Sequence, residues 1–136
     1  MGFSVPTDFH KPESECHLLQ FKSESDEKNL YLATTVYSPD KKLLHKKHDT
    51  IAKNMYDDQG DLSALISGLI ICLENNIKTI FIEGDCTILR REKADILNKL
   101  FDEFTYVYFK DTVSDFTELD ALIASSRASL PESSPP

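Results

Sequence analysis

At residue 61 the apolar pattern of this chain changes period, and that change restricts the fold more than any other feature. Before it come three short runs rich in apolar, β-branched and aromatic residues: "CHLLQFKSE", "LYLATTVYS" and "LLHKKHDTIA". The polar turns "SDEKN" and "PDKK" separate them, with Pro39 presetting its own φ and Asp40 able to bond nearby backbone. Connections this short join antiparallel neighbours, so the three runs are expected as a meander. After the change, Leu62, Leu65, Ile66, Leu69 and Leu73 recur at helical spacing and form one apolar face. Asp57, Asp58 and Asp61 crowd the start of that helix, where the macrodipole favours negative charge. Asn75 or Asn76 is placed to close it in the left-handed conformation.

The remainder alternates. "KTIFIEG" reads as a strand whose nearly unbroken apolar run suits a central position covered on both faces. "REKADILNKLFDEF" puts Ala94, Leu97, Leu100, Phe101 and Phe104 on one side of a second helix. "TYVYFKD" follows as a fifth strand, and "DFTELDALIASSRA" as a third helix begun by Asp115 or Thr117. The order β-β-β-α-β-α-β-α predicts an α/β fold with a five-stranded mixed sheet and helices on both faces. Residues 1–15 are expected as a loose arm, 16–129 as a single domain and 130–136 as a tail whose prolines cannot continue a helix.

Charge narrows the function classes. Against 23 acidic residues stand 15 lysines and arginines, a formal charge of -8. That balance works against phosphate-backbone binding, which draws its affinity from concentrated Lys and Arg. The one basic cluster, "KKLLHKKH", makes Lys41, Lys42, Lys46 and Lys47 the candidates for RNA or phosphate contact. The competing reading is a charged strand that discourages edge-to-edge pairing. His45 and His48 are not at alternating strand spacing, which argues against a paired metal site. Tyr106 and Tyr108 share one face of the fifth strand, as packing residues or as a contact surface at a sheet edge. Cys16, Cys72 and Cys86 are odd in number without CxxC spacing, so a reducing, intracellular compartment is expected, with Cys72 a buried apolar residue. No run has the length of a membrane span, the first residues lack a signal-peptide core, and no nucleophile elbow, P-loop or dinucleotide fingerprint is present.

"DLSALISGL", then "NIKTIFIEGDC", then "ELDALIA" appear in an order and spacing that resembles the plant-type ribonuclease H domains, over roughly residues 16–129. The resemblance implies a ribonuclease H-like fold. It also implies a site in which carboxylates hold two divalent cations about 4 Å apart, one helping to make the attacking hydroxide and the other steadying the leaving oxygen. Matched position by position, the acid of the first strand falls at Lys22, the helix glutamate at Asp61, the acid after the fourth strand at Asp85 and that of the last helix at Asp120. Lys22 stands where an aspartate would bridge both metals, so an ammonium enters the space of a cation, with Asp85 its expected partner. Asp61 is one methylene short of glutamate. Glu24 shares a strand face with Lys22 and is displaced along it. The family's glycine-rich first turn is replaced by "SESDEKN", and the position near the end of the fifth strand that often carries histidine reads "FKD".

The expectation is therefore a catalytically inactive ribonuclease H-like domain serving as a protein-interaction or assembly module, self-association included, with no cofactor. The alternatives are a divergent nuclease that cleaves RNA in RNA–DNA hybrids, with Asp61, Asp85 and Asp120 holding Mg²⁺ or Mn²⁺, and a silent RNA-binding module using the 41–47 lysines.

Overall fold

The computed structural model describes residues 15–52, 60–85, 95–110 and 112–128. Eight elements follow the expected order: β1 (His17–Ser25), β2 (Asn29–Tyr37), β3 (Leu43–Ala52), α1 (Gly60–Glu74), β4 (Thr79–Glu83), α2 (Asp95–Phe101), β5 (Tyr106–Lys110) and α3 (Thr117–Ala128). They build one five-stranded sheet ordered β3-β2-β1-β4-β5. β1 to β3 form the antiparallel meander, and β4 and β5 add in parallel to β1. Residues 1–14 of the expected arm and the whole of the expected tail, together with Asp57, Asp58, Cys86 and Ala94, lie outside the described residues. Among those described, no helix is long and apolar enough to cross a membrane.

Local chemistry sets the ends of these elements. Asn76 closes α1 with φ 59°, the left-handed conformation that asparagine tolerates better than most residues. Asp115 Oδ1 accepts from both the backbone N–H and the hydroxyl of Thr117, at 2.9 and 2.6 Å, and so caps the first turn of α3. In the β2–β3 turn, Ser38 and Lys42 close the loop through Ser38 N–H to the Lys42 carbonyl at 2.8 Å, while Lys41 takes φ 72°.

Strand alternation sorts side chains onto two faces. Leu19 and Phe21 of β1, Leu30, Leu32 and Val36 of β2, and Ile80 and Ile82 of β4 pack with Ala64, Leu65, Leu69 and Cys72 of α1 and Leu97 and Phe101 of α2. On the opposite face Tyr31 and Ala33 meet Leu119, Leu122 and Ile123 of α3. Beside them Cys16, Leu18, Phe81 and Tyr106 form a third cluster, with Tyr37 and Tyr108 against it. Tyr106 and Tyr108 do share a face of the edge strand β5, and they serve as packing there: Tyr108 lies 4.9 Å from the Phe81 ring. Cys72 is fully buried as expected, and burial pushes its thiol up to about 12, which leaves it unreactive.

Two glycines set how closely layers approach. A Cβ at Gly68 of α1 would lie 2.7 Å from Thr34 Cγ2 and 2.8 Å from Leu19 Cδ1. One at Gly84, just past β4, would lie 2.2 Å from the buried Phe21 ring. Gly68→Ala gains about 1 kcal/mol of helix propensity but incurs about 1–3 kcal/mol of overpacking, so a net loss is expected. Gly84→Ala has no helical gain to offset its clash and loses about 1–3 kcal/mol. Urea denaturation midpoints measure both, with Gly84→Ala the more destabilised.

Candidate active-site cleft

The carboxyl ends of β1 and β4 lie side by side in the parallel pair, and a cleft of about 580 Å³ opens there. Its lining is Phe21, Lys22, Ser23, Asp61, Gly84, Asp85, Thr112, Val113 and Phe116. Open α/β sheets place ligand sites at such strand ends. Three of the four positions singled out in the sequence, Lys22, Asp61 and Asp85, thus line one cavity, and Asp120 joins them through the Lys22 ammonium.

Each arrives from a different element. The missing side chain of Gly60 lets α1 start against Ser23, where a Cβ would lie 2.9 Å from Ser23 Cβ. Asp61, next in line, accepts the Ser23 hydroxyl at 2.7 Å. Lys22 projects to the α3 face, and its partners are Asp120 Oδ1 at 2.6 Å and Glu24 Oε2 at 2.9 Å. This corrects the expected Lys22–Asp85 pairing: strand alternation turns Lys22 toward the first turn of α3, where Asp120 waits. Burial of the ammonium disfavours its charge, but the hydrogen bonds and charges of Asp120 and Glu24 more than offset this, so the Lys22 pKa is raised. The ammonium also lies 4.7 Å from the centre of the Phe116 ring.

The ion pairs continue along α3. Glu24 meets Arg127 at 3.2 Å, and the Arg127 guanidinium lies 4.8 Å above the Tyr31 ring. The Tyr31 hydroxyl donates to Asp26 at 2.6 Å. Asp120, Lys22, Glu24, Arg127, Tyr31 and Asp26 therefore form one chain of contacts between α3 and the ends of β1 and β2.

Glu83 is the functional-looking residue that sequence reasoning missed. Its side chain is fully buried at the end of β4. Oε1 accepts from Gln20 Nε2 at 2.9 Å, from the Ser114 hydroxyl at 3.0 Å and from the Ser114 backbone N–H at 3.1 Å, and Lys110 Nζ lies 4.0 Å from Oε2. Thr35, Gln20, Glu83 and Lys110 are register partners on successive strands, so a polar row crosses the sheet face between its apolar end and the ion pairs of Lys22. Its sequence signal was the glutamate interrupting "TIFIE", which alternation places on the same face as Phe81. Because Ser114 belongs to the segment with Thr112, Val113 and Phe116, Glu83 fixes one wall of the cleft.

The basic cluster is partly compensated. Lys42 lies 3.9 Å from Asp40 and Lys47 3.7 Å from Asp49. Lys41 and Lys46 are exposed, Lys41 in the β2–β3 turn with Lys42 and Lys46 on the edge strand β3 with Lys47. His48 Nδ1 is 2.7 Å from the buried Ser126 hydroxyl, an anchor for α3. Among the described residues, no three His, Cys, Asp or Glu side chains gather as a metal-holding group.

No family profile and no curated protein sequence matches the chain. Solved structures do. RNase H1 from the halophilic archaeon Halobacterium salinarum superposes with a TM-score of 0.68 at 17% identity, over 84% of this chain and 98% of that one. The N-terminal RNase H domain of a Mycobacterium tuberculosis protein, solved as a fusion with maltose-binding protein, gives 0.64 at 14% identity, over 82% and 93%. LC11-RNase H1, solved in complex with an RNA/DNA hybrid, gives 0.60 at 11% identity, over 81% and 95%. With strand order and element sequence in agreement, the chain has the ribonuclease H-like fold that its motifs led one to expect. At these identities the likeness is one of fold.

Glu83→Ala would strand Gln20 and Ser114 without their acceptor, and a loss of about 2–3 kcal/mol in unfolding free energy is expected by denaturant titration. Asp26 offers a pH test. The Tyr31 hydroxyl, with the backbone N–H groups of Lys28 and Asn29, draws its pKa from 3.8 down to about 2. A depressed carboxylate contributes stability that is complete above its unfolded value and fades as pH falls through the folded one. The melting temperature should therefore lose this contribution between about pH 4 and 2, and Asp26→Asn should flatten the decline in that window.

Proposed function

We propose that this ribonuclease H-like domain does not hydrolyse phosphodiesters and acts as a protein-interaction or assembly module. The observation that carries the proposal is the Lys22 ammonium held 2.6 Å from Asp120 and 2.9 Å from Glu24. The two-metal chemistry associated with this fold needs oxygen ligands converging on a shared pair of cations. The donor set here suits that poorly. Two of the carboxylates, those of Asp120 and Glu24, are already bound to a side-chain cation. Asp61, a methylene shorter than glutamate, is engaged by Ser23. The role as an interaction module draws support from the net charge of -8 and from a basic cluster in which Lys42 of the β2–β3 turn and Lys47 of β3 are matched by their own neighbours.

The test is a labelled RNA–DNA hybrid incubated with the protein in Mg²⁺ or Mn²⁺. No cleavage is expected; cleavage that disappears in Asp85→Asn would establish the nuclease instead. A complementary measurement uses Lys22→Asp, which replaces the ammonium with a carboxylate. Manganese should raise the melting temperature of this variant and leave that of the parent unchanged. An equal rise in both would show that the lysine does not occupy a cation's place.

A further inference from the structure

We propose that the cleft between β1, α1 and the 112–116 wall receives an arginine side chain from a partner polypeptide. The inference rests on the interaction-module reading and names the partner chemistry that reading leaves open. At about 580 Å³ the cleft falls within the roughly 300–1,000 Å³ range of ligand pockets. Its lining is divided in a way that matches one kind of occupant. Val113 and Phe116 present apolar surface above the buried Phe21, which suits an aliphatic stem. Asp61 and Asp85 line the same space as carboxylates.

The charges select the sign of the ligand. Lys22 is the one cation among the described lining residues, and its charge is shared by Asp120 and Glu24. Asp61 is met by a neutral hydroxyl, that of Ser23, so its negative charge is not cancelled by that contact. A phosphate entering here would face the Asp61 carboxylate, whereas a cation would be drawn in, first by the net -8 of the whole chain and then by Asp61.

Geometry favours arginine over lysine. Phe116 is 42% exposed even with the Lys22 ammonium 4.7 Å from its ring centre, and the ring surface left at the rim suits a planar guanidinium, which is more weakly hydrated than an ammonium. A guanidinium can also bond a carboxylate in two-pronged fashion, which an ammonium cannot. The wall is set before any partner arrives, because Ser114 is bolted to the buried Glu83 by its hydroxyl at 3.0 Å and its backbone N–H at 3.1 Å. A site already shaped spends less of its binding energy on ordering.

The experiment follows backbone amide shifts of the ¹⁵N-labelled full chain at low salt as N-acetyl-arginine methylamide is added. Saturable shifts at Ser23, Asp61, Gly84 and Val113 are expected, with a millimolar Kd appropriate to a single side chain. Asp61→Asn, which keeps an acceptor for Ser23, and Phe116→Ala should each weaken binding roughly fivefold or more, while Lys46→Glu on β3 should not weaken it. Well-dispersed spectra of the variants show that they remain folded. Absence of saturable shifts at these amides overturns the proposal. So does equal binding of the neutral citrulline analogue, or a short RNA–DNA hybrid that shifts the same amides in its place. Hybrid cleavage is read separately: cleavage sinks the interaction-module reading, whereas missing arginine shifts without cleavage sink only the arginine site.

Discussion

Gln20 facing Glu83 across the parallel β1–β4 pair is the contact from which the functional end of this molecule is organised. β1 and β4 are distant in sequence, and an apolar strand pair alone would tolerate some slippage. A buried carboxylate does not, because moving it by one residue would strand its charge in the core at a cost of several kcal/mol. With Gln20 and Glu83 in register, Lys22 and Ser23 are set beside Gly84 and Asp85. The same carboxylate reaches past the end of the sheet to Ser114 and holds the segment that walls the cleft. One buried acid thus ties strand register to cavity shape.

Lys22 defines the character of that cavity. The α3 face of the sheet runs from apolar residues at Leu18 and Phe81, through the polar row at Gln20 and Glu83, to the ion pairs of Lys22 and Glu24. The first turn of α3 meets this charged end, so an acid at position 120 falls beside the ammonium. Such partly exposed pairs contribute about 1 kcal/mol or less each. The stability of α3 on the sheet comes instead from burying Leu119, Leu122 and Ile123. The ion pairs decide which groups occupy the strand ends, and hence what chemistry is open to them. The side-chain cation there is the basis of the proposed role.

Much of the fold was legible from local pattern. The strand at 43–52 has the limits its sequence suggested, Asn76 supplies the helix stop, and Asp115 caps α3. These features depend on backbone preferences and on the periods of helix and strand, which act over a few residues. Motif order carried the expectation further, to the strand arrangement and to the grouping of Lys22, Asp61 and Asp85 around one cleft. Pairing within that group was less legible. Asp85 was the expected partner of Lys22 because the resemblance placed both at one site, yet the ammonium found Asp120 and Glu24.

What the sequence determined by itself was the set of elements and the presence of a lysine at position 22, since periodicity and residue identity are local properties. What only the tertiary structure decided was partnership: which acid meets Lys22, and that Glu83 binds Gln20 and Ser114. Those outcomes depend on which face of the sheet each side chain takes and on how α3 and the 112–116 segment settle against it. Such contacts join residues far apart along the chain, 98 positions for Lys22 and Asp120, and no local preference encodes them.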